Sequence, residues 1–272
     1  MRLFIFLLCL QSAALGAAPR VVTSIAPLQE ICAEIMAGIA EPVAIIGQNA
    51  SAHHFAFKPS HLRQLQQADL VIWIERHFEA GFYRVTDILP ASTHALELIP
   101  ALGLETEDGH IWYSPQLLLR IIEAITVALI ELDPEHQPQY RQNAQRLSTE
   151  IAAWRGERMS EWQQRRPRFI TDHAFTTHFE ADLGLVAIAT IHDQHDAHGG
   201  LKKLQQLESL LRQKPAACLL TLEHQPSGIA KNLSQKNGLR IINLSAQGEP
   251  DPRQPAIIRR LEQLNNALLT CL

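Results

Sequence analysis

Between residues 135 and 165 the chain carries one glycine, Gly156, and one proline, Pro138, the latter near the start. Tyr140, Ala144, Leu147, Ile151, Trp154, Arg158 and Trp162 recur every three or four residues among many charges, the repeat of a helix face. About 30 residues of helix reach roughly 45 Å at ~1.5 Å per residue. An element of that length suits a strut between two bodies better than a component of one.

The sequence on either side has a different grammar. Before the strut, short apolar runs at residues 20–25, 43–46 and 69–74 alternate with helical-period segments at 27–36, from Pro59-Ser60 onward, at 78–89 and at 115–132. Ser60 is placed to cap the second of these helices. The run Leu70-Val71-Ile72-Trp73 is continuous rather than alternating, as in a strand buried on both faces. After Pro167 the pattern restarts: strands at 168–171, 185–191, 217–222 and 240–244, helices from 172 to Gly184 and at 201–212, 229–235 and 257–269. Strands alternating with helices predict parallel sheets and an α/β fold. The expected organisation is two α/β lobes, residues 19–134 and 167–272, joined by one long helix over 135–166.

Composition narrows the function. The chain has 272 residues, 46% of them hydrophobic, enough for sizeable cores. A net charge of −4 without a Lys/Arg-rich run argues against a nucleic-acid partner. Met1-Arg2, the apolar residues 3–10 and small residues from Ala13 to Ala18 have the form of a cleavable signal peptide over 1–18, cut between Gly16 and Ala18. No later run is long enough to span a bilayer. The mature chain is therefore expected in an exported, oxidising compartment, not membrane-spanning and monomeric. Of the three cysteines beyond that leader, Cys32 lies on an apolar helix face, which leaves Cys218 with Cys271 as the pair for a disulfide.

Thirteen histidines are many for this length. His53 and His54 lie in Ala52-His53-His54-Phe55-Ala56-Phe57-Lys58-Pro59-Ser60-His61, His110 in Asp108-Gly109-His110-Ile111-Trp112-Tyr113-Ser114-Pro115, and His173 in Thr171-Asp172-His173-Ala174-Phe175. His53, His110 and His173 each sit where a strand or loop hands over to a helix. In open α/β folds, ligands bind outside the carboxyl ends of the strands. Three imidazoles can supply most of a tetrahedral zinc site. Asp172 could fix the tautomer of a ligand or cap the following helix. His77, His94 and His136 read as solvent-exposed, and His178 as facing the cleft. His192, His195 and His198, with Asp193 and Asp196 between them, form a candidate auxiliary metal site, to which His54 could also belong.

These motifs together resemble the periplasmic metal-binding proteins of zinc and manganese ABC importers, and in particular the zinc branch. The family's H-x-Y/F-x-x-x-P-S-D is similar to residues 53–61, its D-x-H-x-W-x-x-P to 108–115, and its A-D-L-V-I-W is met by Ala68 to Trp73. Glu79 falls on a family glutamate, and the histidine of the third motif, its last aromatic and its closing G-L fall on His173, Phe179 and Gly184-Leu185. The resemblance implies a zinc site of His53, His110 and His173 in the cleft, no enzymatic activity, and delivery of Zn²⁺ to an inner-membrane ABC permease with its ATPase. It also supports the Cys218–Cys271 pair, which zinc-type members carry.

The chain departs from the family in places. His61 replaces the aspartate after Pro-Ser, Ala52 precedes the first ligand, and a late aspartate of the manganese branch is Ser245, so the fourth ligand is water or His54. Three neutral nitrogens favour zinc over manganese, which prefers oxygen. Two alternatives stand beside transport. One is a metal-dependent adhesin; the other is a mononuclear zinc hydrolase, which would need a general base that no motif here supplies.

Overall fold

The computed structural model describes residues 17–47, 55–192, 201–222, 226–244 and 254–272. Residues 1–16, most of the expected leader, and His53, His54, His195, His198 and His224 lie outside the described residues.

The first lobe contains β1 (Val21–Ile25), α1 (Ala26–Ile35), β2 (Val43–Ile46), α2 (Pro59–Gln66) and β3 (Leu70–Trp73). It continues through a 3-10 turn (Ala80–Arg84), α3 (Val85–Ile88), β4 (His94–Glu97), α4 (Leu98–Ala101), a second 3-10 turn (Ile111–Tyr113) and α5 (Pro115–Leu132). Its sheet is parallel in the order β2-β1-β3-β4. The long helix α6 spans Gln137–Trp162. The second lobe runs β5 (Phe169–His173), α7 (Thr177–Leu183), β6 (Ala189–His192), α8 (Leu201–Gln213), β7 (Cys218–Leu222), α9 (Gly228–Asn237), β8 (Arg240–Leu244) and α10 (Ala256–Leu269). Its sheet is also parallel, in the equivalent order β6-β5-β7-β8. The fold is thus α/β, two lobes each built on a parallel sheet flanked by helices, with one long helix between them.

Burial separates central strands from edges. Every residue of β1, β3 and β7 is buried, and β3 reads as an unbroken apolar run while β1 and β7 are apolar but for Thr23, Ser24 and Thr221. β4 is an edge strand, none of whose residues is fully buried. Its His94-Ala95-Leu96-Glu97 has only two apolar residues between a histidine and a glutamate, and the sequence pattern alone leaves this segment as polar connection. α4 is missed because its four residues, Leu98-Ile99-Pro100-Ala101, are too few to show a helical repeat. The continuous helix expected over 78–89 is also absent: the chain takes a 3-10 turn and then the short α3. Two features break it. A Cβ at Gly81 would stand 2.9 Å from the Phe55 carbonyl oxygen, so the backbone here is pressed against another segment. The Glu79 side chain meanwhile turns back, its Oε2 accepting from the backbone N–H of Ile74 at 2.8 Å and Glu75 at 3.3 Å.

Helix ends follow local chemistry. Ser114 caps α5, accepting from Leu117 N–H at 3.0 Å, and Ser227 caps α9, accepting from Ala230 N–H at 3.1 Å. Gly184, at φ 70°, and Gly238, at φ 67°, end α7 and α9 in the left-handed conformation. At α2 the cap falls on Lys58 rather than Ser60, and the Lys58 N–H donates to Nδ1 of His61 at 3.1 Å. His61 therefore does for this helix what a carboxylate at the third position does in a capping box. Desolvation, and then the nearby Lys58 charge, hold its pKa below the ordinary histidine value, which keeps the ring an acceptor.

α6 is fastened to both lobes. Asn143 donates to the Ile35 and Ala37 carbonyls at 3.0 and 3.1 Å, and Arg146 pairs with Glu34 of the first lobe at 2.7 Å. Further along, Trp154 Nε1 donates to Glu262 and Trp162 Nε1 to Asn265, both on α10. At its start, Asp133 Oδ2 takes hydrogen bonds from His136 at 2.7 Å and the Tyr140 hydroxyl at 2.8 Å. His136 is thereby partly buried rather than solvent-exposed. One apolar core runs from the first sheet past α6 to Phe169, Phe179 and α10, and a smaller one packs α8 and α9 on Ile170 and Leu219. Cys218 and Cys271 form a disulfide, and Cys32 is buried, as expected. No described helix is long and apolar enough to cross a membrane.

Candidate metal centre

His110 stands just before the 3-10 turn that leads into α5, and its side chain is nearly inaccessible. Asp108, two residues earlier, turns its carboxylate onto it: Asp108 Oδ1 accepts from His110 N–H at 3.0 Å and faces His110 Nδ1 at 2.7 Å. A carboxylate at Nδ1 puts the proton on that nitrogen and the lone pair on Nε2, the tautomer a metal ligand needs. Burial pushes the Asp108 carboxyl up, but the hydrogen bonds and charge of His110, with the charge of His178, outweigh it and hold its pKa below the ordinary aspartate value.

Aromatic rings pack around His110. Phe78 meets it edge-on with centroids 5.0 Å apart, and Trp112 lies at 5.2 Å. Phe78 also explains Gly109, since a Cβ there would come within 2.2 Å of the Phe78 ring.

His173 is the last residue of β5, at the carboxyl edge of the second sheet. Its ring centroid lies 5.2 Å from that of His110, across the lobes, and 5.1 Å from that of Phe175. Two of the three predicted ligands are therefore side by side, their rings tilted by 50°. The third, His53, is outside the described residues. The chain resumes at Phe55, whose ring stacks on His61 at 5.1 Å, while Phe57 packs on Phe82 at 5.1 Å. Among the described residues, no group of three or more His, Cys, Asp or Glu side chains is gathered as for a metal ion.

The other polar residues fall into place around this pair. His178, on α7, donates from Nε2 to the Asp108 carbonyl oxygen at 2.8 Å, so it faces the cleft but by a structural bond. Asp172 neither caps α7 nor is seen on a ring nitrogen of His173. Its Oδ1 accepts from the Ser227 hydroxyl at 3.2 Å and lies 3.7 Å from His192 Nε2. His192 Nε2 is 3.3 Å from the same hydroxyl, so one nitrogen faces both the serine and the aspartate. A Ser-His-Asp relay would use opposite nitrogens for the two. His77 is exposed.

Residues 21–271 match the family described as zinc-uptake complex component A, periplasmic. The chain belongs to this family. Members of the zinc-uptake component A family are periplasmic metal-binding proteins, and the fold and the ordered motifs agree with membership. A high-affinity zinc uptake system protein ZnuA of Yersinia pestis is 24% identical over 295 residues, covering 94% of this chain and 92% of the relative. An iron-binding protein YfeA of the same organism is 25% identical over 260 residues, covering 88% and 82%. Among solved structures, the laminin-binding protein Lmb of Streptococcus agalactiae superposes with a TM-score of 0.82 at 19% identity, covering 93% of this chain and all of that one. That protein is described as having both adhesin and metal-transporting activity.

Proposed function

We propose that this protein captures Zn²⁺ in the periplasm, at a cleft site formed by His53, His110 and His173, and hands it to the permease of an ABC importer. The observation that carries this is the pairing of His110 and His173 at 5.2 Å across the two lobes, with Asp108 setting the His110 tautomer. Imidazole nitrogens suit Zn²⁺, and the third ligand position holds a histidine instead of a carboxylate, which disfavours oxygen-seeking Mn²⁺. The similar proteins are named for zinc in one case and iron in another, so the choice of metal rests on this ligand chemistry. Residues 19–134 and 167–272 act as the two metal-gripping lobes about a connecting helix over 135–166, and residues 1–18 direct export. The protein works as a binding protein rather than an enzyme. His192, with His195, His198 and His54, forms either a weaker accessory metal site or a capture loop that feeds the main one.

The test is the metal content of protein exported by its native host and purified without added metal. About one equivalent of zinc, and loss of growth of a deletion strain under zinc chelation restored by zinc alone, is the expected result. Iron or manganese in place of zinc, or growth indifferent to zinc, overturns the assignment.

A further inference from the structure

We infer that Asp182, with His178 on the same helix, is a positioning residue that staples the His110 loop to the lobe carrying His173. α7 begins four residues after His173 and reaches across the cleft at two points. His178 Nε2 holds the Asp108 carbonyl at 2.8 Å, two residues before His110. Asp182 Oδ2 accepts from the Ser114 hydroxyl at 2.9 Å and from Gln116 N–H at 2.6 Å, four and six residues after it. The His110 segment is thus gripped on both sides by the helix that follows the opposite ligand.

The grip is built rather than incidental. The Asp182 side chain is only 2% exposed, and its other oxygen, Oδ1, takes Arg155 Nε of α6. Ser114 is buried and serves two partners, accepting from Leu117 N–H and donating to Asp182. The carboxylate also sits at the amino end of α5, an 18-residue helix whose dipole favours a negative charge there. One side chain therefore joins α5 of the first lobe, α6 between the lobes and α7 of the second. Its consequence is that the His110–His173 spacing is fixed before the metal arrives, so binding spends little on ordering the site.

This inference rests on the proposed cleft site, and the experiment separates the two. Zinc affinity by chelator competition, thermal stability, and hydrogen exchange of residues 108–116 in the metal-free protein are measured for wild type, D182A, D182N, S114A and E30Q. Glu30 pairs with Arg260 between α1 and α10, a second interlobe bond away from the histidines, so E30Q controls for general loosening. D182A is expected to bind zinc at least tenfold more weakly and to exchange faster at 108–116, with D182N and S114A intermediate and E30Q at wild-type affinity. Should D182A not fold, D182N and S114A carry the test. Affinities within twofold of wild type for the Asp182 and Ser114 variants, or an E30Q loss equal to theirs, overturn the proposal. If wild type binds no zinc, the cleft assignment fails, and unchanged exchange at 108–116 then overturns the staple on its own.

Discussion

The Glu79 side chain has no exposed surface, and burial pushes its pKa up to about 8, partly offset by the N–H groups of Ile74 and Glu75 that donate to Oε2. Folded Glu79 thus keeps a proton that the unfolded chain, near its ordinary 4.5, gives up. Its contribution to stability is complete below that lower value and is lost as pH rises through about 8, at most ~1.4 kcal/mol per pH unit. E79Q stays neutral throughout. Chemical denaturation is expected to show wild type falling behind E79Q between pH 5 and pH 8; a constant difference would mean that Glu79 is ionised in both states. Asp108 acts oppositely, as a charged partner. Removing the carboxylate behind a metal-bound histidine weakens binding ~10–100-fold, so D108A should lower zinc affinity on that scale with little change in fold. An unaltered affinity by competition titration would deny Asp108 its orienting role.

The disulfide ties β7 to the residue pair following α10 and closes a loop of 53 residues. Loop-closure entropy puts its worth at about 4 kcal/mol. The C218A/C271A double variant should melt well below wild type under non-reducing conditions, and equal melting temperatures would show that the packing of α10 alone suffices. Which elements the sequence discloses follows from burial. Central strands such as β3 and β7, apolar but for Thr221, stand out, whereas the half-exposed β4 has only Ala95 and Leu96 between a histidine and a glutamate and hides among polar residues. The candidate site divides similarly. Asp108 and His110 are two residues apart and form a visible motif, but Asp182 meets Ser114 and Gln116 from 68 and 66 residues away, and no local pattern could link them. The break in the 78–89 helix likewise depends on the approach of Phe55 to Gly81.

α6 binds α1 through Asn143 and Arg146 and α10 through Trp154 and Trp162, while Glu30 and Arg260 join α1 to α10 directly. The apolar core is continuous across these contacts. Lobes fastened in this way should unfold together, so calorimetry of the metal-free protein is expected to show a single transition whose van't Hoff and calorimetric enthalpies agree. Two resolved transitions would make the lobes independent. The same fastening keeps His110 and His173 opposed, and their joint use of one ion is the centre of the account. It is tested most directly by titrating Zn²⁺ against a competing chelator at neutral pH with wild type, H53A, H110A and H173A. The predicted result is one tight equivalent for wild type and a loss of tight binding in each of the three variants; three variants with wild-type affinity would contradict it.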